Sequence, residues 1–178
     1  THRPQPMTTQ PHEGTRTDPI PRPGARVLLL DANDHLLMFR TAPDPDHPED
    51  EIIWMTPGGG SDPGESPEDT ARRELLEETG FSPPLGPCVW VRDWIWYYGA
   101  HDTWFDTREY FYPARLETSA PDLQPQEDDE MVSLLSHRWL TLEEIRTSPE
   151  MVSPLRLAEL LPPIIAGNYP EEPLQTGQ

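Results

Sequence analysis

The chain has 178 residues, 34% of them hydrophobic, enough for one domain with an ordinary core plus tails. Its 32 acids face 13 basic residues, all arginine, for a formal charge of -19. Such acidity disfavours a nucleic-acid polymer or an anionic membrane as partner, while metals and local arginines still let a cleft take small anions.

A solitary Cys88 excludes an internal disulfide framework and suits a reducing compartment. There is no signal-peptide pattern and no apolar run of membrane-spanning length, so a soluble, cytoplasmic protein is expected. Residues 1–23 are polar and carry six prolines, which predicts a flexible arm. Met7 is a candidate native start. The folded domain is expected over 24–166, with 167–178 as a C-terminal tail.

In chain order, the apolar runs Ala25–Asp31 and His35–Arg40 flank Ala32-Asn33-Asp34 and predict a hairpin. An acidic, proline-rich loop follows to Glu51. Ile52–Thr56 reads as a short strand that delivers the glycine run Gly58-Gly59-Gly60. A helix is predicted from Pro67 to Thr79, with Ser66 as N-cap, Pro67 in the first turn and Gly80 as the stop. Val89–Tyr98 and Thr107–Leu116 predict a second hairpin around Gly99–Asp102. A polar loop ends in Glu127-Asp128-Asp129-Glu130, and His137–Leu140 fits a last strand. Thr141 with Glu144 has capping-box spacing for a short helix, Leu142–Arg146. A closing helix is predicted within Ser153–Ala166, broken near Pro162-Pro163.

The predicted helix Pro67–Thr79 carries the chemistry. At about 100° per residue, Glu74, Glu77 and Glu78 share one stripe, with Ala71 and Leu75 beside it as a core-facing edge. Like charges at this spacing repel, so a solvated face or a bound cation must relieve them. The cluster contains no His or Cys, which points to a hard, oxygen-seeking Mg²⁺ or Mn²⁺ rather than zinc. The preceding glycines let backbone approach a metal or a phosphate closely, and a carbonyl of this run is a candidate further ligand.

Gly59, then Glu65, then Arg73-Glu74-Leu75-Leu76-Glu77-Glu78-Thr79-Gly80-Phe81 match every required position of the Nudix box. The chain therefore resembles the Nudix hydrolases, MutT-like enzymes that cut a diphosphate linked to another moiety. The resemblance implies an α/β fold, an α/β/α sandwich with a mixed β-sheet. It implies Glu77 and Glu78 as principal metal ligands, Glu74 as ligand or general base, and Gly58 as carbonyl donor. Arg73 would orient Glu74, and Glu65 would assist metal binding or pair with arginine. It also points to a glutamate on a loop before the strand ending in Trp139, for which Glu127 and Glu130 are the candidates.

The implied substrate is a small nucleotide-type diphosphate. Tyr97 and Tyr98 lie sixteen and seventeen residues past Phe81, where dinucleoside polyphosphate hydrolases of the family carry a tyrosine. Arg40, Arg92 and Arg108 lie on predicted strands from which they could face a cleft and grip phosphate; each could equally be a surface residue. Trp94 and Trp96 alternate as sheet-packing residues do, with base stacking as the sharper reading. The reading from another class is a Nudix-fold nucleotide-binding or regulatory module with an idle metal site.

Overall fold

The computed structural model describes residues 14–44, 46–47, 50–126 and 133–178. Within them the strands are β1 (Ile20–Pro21), β2 (Gly24–Leu30), β3 (Leu36–Ala42), β4 (Ile53–Met55), β5 (Gly58–Gly60), β6 (Trp90–Tyr98), β7 (Thr103–Arg115), β8 (Ser133–Leu140), β9 (Met151–Ser153) and β10 (Leu174–Gln175). The helices are α1 (Pro67–Thr79), α2 (Leu142–Arg146) and α3 (Leu157–Ile165). Strands run β10-β6-β7-β2-β3-β4-β9 across one mixed sheet, with β1 on β7, β5 on β2 and β8 on β3.

Strand β2 shows why the layers form. All of its residues except Arg26 are buried, as expected of a strand covered on both faces. Val27 and Leu29 pack with Ala71 and Leu75 of α1. Leu28 and Leu30 point the other way, into a cluster with Ile145 of α2 and Leu157, Leu161 and Ile164 of α3. Each fully buried aliphatic side chain contributes about 1.5–3 kcal/mol from burial. One helix on one face and two on the other make the expected α/β/α sandwich.

The chain ends depart from expectation. Strand β7 outruns β2, and its uncovered edge takes up residues 14–23 rather than leaving them as a flexible arm. Ile20 pairs with Phe105, Trp104 N–H donates to Gly14 O over 2.9 Å, and Arg22 N–H donates to Asp106 O over 2.8 Å. Proline is tolerated there because an edge strand loses little by lacking an N–H. Nor is the C-terminal segment a free tail. Leu174 N–H bonds Val89 O at 2.9 Å, Thr176 N–H bonds Val91 O at 3.1 Å, and Thr176 is fully buried.

Three further elements differ. The glycine run is not a loop but β5, paired in register with Gly24–Arg26. A Cβ on Gly58 would meet Ala25 O at 2.2 Å, so only glycine permits this approach. Strand β9, parallel to β4, lies where the sequence reading began the closing helix. Pro162 and Pro163 sit inside α3 without breaking it, because Leu157, Leu161 and Ile164 hold that helix on the sheet. The acidic loop bearing Glu127 and Glu130 lies outside the described residues. Among the described residues, no helix is long and apolar enough to cross a membrane.

Candidate active site

Helix α1 is fixed at both ends by its own sequence. The Ser66 hydroxyl accepts Asp69 N–H at 3.1 Å, and Gly80, at φ 79°, donates its N–H to Leu76 O over 2.8 Å. Ala71 and Leu75 are buried against the sheet. Their burial sets the rotation of the helix. Arg73, Glu74, Glu77 and Glu78 are thereby carried toward β5 and the loop that follows it.

Arg73 is the hub. Its Nε and Nη2 form a two-pronged contact with Glu65, both at 2.9 Å, and Nη2 also reaches Gly60 O at 2.9 Å. Its Nη1 bonds Glu74 Oε1 at 3.1 Å and approaches Glu77 Oε2 at 3.3 Å. The Arg73 hydrogen bonds hold the Glu65 carboxyl down at about 2. Those same bonds push Arg73 above its ordinary value, so it remains a cation.

The acids meet β5 directly. Glu78 accepts Gly58 N–H at 3.3 Å, and the Glu74 carboxylate packs against Gly59 in space a side chain would fill. The convergence expected of Glu74, Glu77 and Glu78 is modified by Arg73, which bridges Glu74 and Glu77. Accordingly, among the described residues no three acidic, His or Cys side chains are gathered as a preformed metal cluster. The donors still fit a hard divalent cation: they are carboxylate oxygens beside glycine backbone, and their charge exceeds what one arginine neutralises.

The expected substrate arginines are placed differently. Arg92 is 1% exposed, too buried to grip a ligand; it donates to buried Glu109 and to Ser153 Oγ. Burial would raise Glu109, but Arg26 and Arg92 together hold it at about 2. Arg40 makes two hydrogen bonds to Glu150, at 3.0 and 2.7 Å, which also accepts Trp54 Nε1. Arg108 lies opposite Asp93 on β6, on the face away from Arg92, because successive strand residues alternate. Tyr97 shares that far face and donates to Asp102 Oδ1 at 2.7 Å. Tyr98 is on the Arg92 face but buried among Trp96, His101 and Phe105. These five residues therefore do not form a common substrate wall.

Sequence reasoning missed Arg22 and Arg26. Arg26 Nη1 donates to Thr56 O at 2.7 Å, and its Nε lies 3.2 Å from Glu109 Oε1, beneath the start of β5. Arg22 lies against Gly60, with its guanidinium 5.9 Å from the Trp96 ring centre and 5.8 Å from that of Phe105. Its place in a proline-rich segment hid it. The alternation Trp94-x-Trp96-x-Tyr98 was the available signal, since it marks the face on which Arg22 lands.

The family model described as NUDIX domain matches residues 20–160. A putative 8-oxo-dGTP diphosphatase of Bacillus subtilis is 38% identical over 68 residues, 38% of this chain and 41% of that protein's length. An RNA pyrophosphohydrolase of Rhodopseudomonas palustris is 26% identical over 160 residues, covering 80% of this chain and 85% of that one. Among solved structures, a MutT protein from Methanosarcina mazei superposes with a TM-score of 0.61 at 16% identity, over 85% of this chain and 97% of that one. On the span of the family match and the complete box within it, the chain belongs to the Nudix family of pyrophosphate-bond hydrolases.

Proposed function

We propose that the protein hydrolyses a small nucleoside diphosphate derivative at a phosphoric anhydride bond, by attack of water on phosphorus, with Mg²⁺ or Mn²⁺ as cofactor. The observation that carries this reading is the Glu74 carboxylate, held between Arg73 and the backbone of Gly59 with Glu77 and Glu78 on the same helix face. A bound divalent cation would offset substrate charge and acidify a ligated water. Glu77 and Glu78 would hold it, with Gly58 and Glu65 contributing backbone and loop donors.

In this reading Glu74 orients the attacking water and accepts its proton, and Arg73 fixes the direction in which that carboxylate points. Arg73 also keeps Glu65 ionised and tied to the helix, which closes the loop over the first turn. Glu127 and Glu130 are additional candidates for the proton acceptor, distinguished by single Gln substitutions.

The relatives' names point to two kinds of substrate, a damaged nucleoside triphosphate and RNA. The net charge of -19 favours the smaller, because repulsion of a polyanion grows with the number of phosphates brought to the surface. The test is product release from 8-oxo-dGTP, dGTP, ADP-ribose and 5′-triphosphorylated RNA with Mg²⁺ or Mn²⁺. Turnover of a mononucleotide or dinucleotide in preference to RNA is expected. Metal-dependent binding without turnover across the panel would instead favour an idle regulatory module.

A further inference from the structure

The five N–H groups of Arg73 are committed within the site, to Glu65, Glu74, Glu77 and Gly60 O. An incoming diphosphate therefore needs another guanidinium, because the carboxylates around Arg73 repel it. Arg92 is buried on Glu109, and Arg40 is spanned by Glu150. Arg26 is directed to Thr56 O and Glu109.

Arg22 is placed for the task. A Cβ on Gly60 would lie 3.0 Å from both its Cζ and its Nη2, so the guanidinium rests on the glycine whose carbonyl is bonded to Arg73. Gly60 thus separates the arginine that organises the acids from an arginine on their rim. Trp96 and Phe105 lie under Arg22 at cation–π distance, which restrains the guanidinium while leaving its in-plane N–H groups directed outward. The main chain fixes it as well. Arg22 N–H is bonded to Asp106 O at 2.8 Å, and Ser61 N–H to Pro23 O at 2.9 Å, so β1 and the loop after β5 move as one.

We propose that Arg22 is the substrate-anchoring residue of this site, gripping a phosphate oxygen of the nucleotide at the edge of β5 while Trp96 and Phe105 hold its plane. The inference rests on the hydrolase reading given above. It makes the N-terminal segment part of the binding site rather than a leader to the domain. It also makes Arg22 a determinant of KM, since a contact equal in ground and transition states changes binding without changing turnover.

The test is steady-state kinetics of the full chain with Mg²⁺, using whichever nucleotide of the panel the wild type cleaves fastest, for the wild type, Arg22→Gln and Arg22→Lys. Arg22→Gln is expected to raise KM by about tenfold with kcat kept within about threefold, and Arg22→Lys to fall between because it keeps charge but loses the fork. Melting temperature serves as the control for folding. A KM rise below about threefold, or a loss of kcat that tracks a fall in melting temperature, overturns the assignment. No turnover of any nucleotide by the wild type would instead overturn the hydrolase reading itself.

Discussion

A methyl group on Gly59 would stand 2.6 Å from both the carboxyl carbon and Oε1 of Glu74. The acid occupies the volume that glycine leaves vacant. Gly59→Ala must displace it, and the flexible end of Glu74 yields more easily than paired backbone. Misplacing a reacting group by about 1 Å costs on the order of 10² in rate, so kcat should fall by about that factor. Wild-type kcat in Gly59→Ala would show that the contact has no part in the chemistry.

The Arg73–Glu65 contact predicts an acid-limb signature. Glu65 titrates at about 2 in the fold, against an ordinary 4.5, because Arg73 hydrogen-bonds its charged form. A lowered folded value means that the contribution is complete above about 4.5 and is lost as pH falls toward 2. Urea midpoints of the wild type and Glu65→Gln should differ by a constant amount above pH 4.5 and converge below it. Parallel curves down to pH 2 would contradict the assigned contact.

Arg92 should behave as a structural residue. Glu109→Gln leaves its buried guanidinium without a counter-charge, at a cost of about 3–5 kcal/mol of stability. Arg108→Ala, on the exposed far face, should stay within about 0.5 kcal/mol. Equal midpoints for the two variants in chemical denaturation would refute the assigned difference in burial.

The elements most legible in sequence were those with local signals. Ser66, Pro67 and Gly80 bound α1 at the positions their chemistry demands, and Thr141 with Glu144 forms the capping box of α2. What was illegible depends on distant partners. That Gly58–Gly60 is a strand follows from its pairing with β2, and the order of residues 14–23 follows from the length of β7. Arg92 shows the same limit. Its sequence neighbours suit a cleft, but its burial is decided by Glu109 on the neighbouring strand and Ser153 on β9. The box acids could be placed on one stripe from helix periodicity, whereas the bridging of Glu74 and Glu77 by Arg73 needs side-chain geometry.

Metal should stabilise the fold by relieving these acids. A cation that binds only the native state adds roughly 2.7 kcal/mol at a hundred times its dissociation constant. Mg²⁺ or Mn²⁺ should therefore raise the melting temperature of the wild type, and the combined change Glu77→Gln and Glu78→Gln should abolish the increment. An undiminished increment in the double variant would remove these two residues from the ligand set.

The central claim, water attack at phosphorus organised by Glu74, is tested most directly by turnover in ¹⁸O-labelled water, comparing the wild type with Glu74→Gln at saturating Mg²⁺. The wild type should place one ¹⁸O in a phosphate product. Glu74→Gln should lower kcat by about 10²–10⁴ with little change in KM, as loss of a general base requires. Label absent from every phosphate product, or wild-type turnover in Glu74→Gln, would contradict the account.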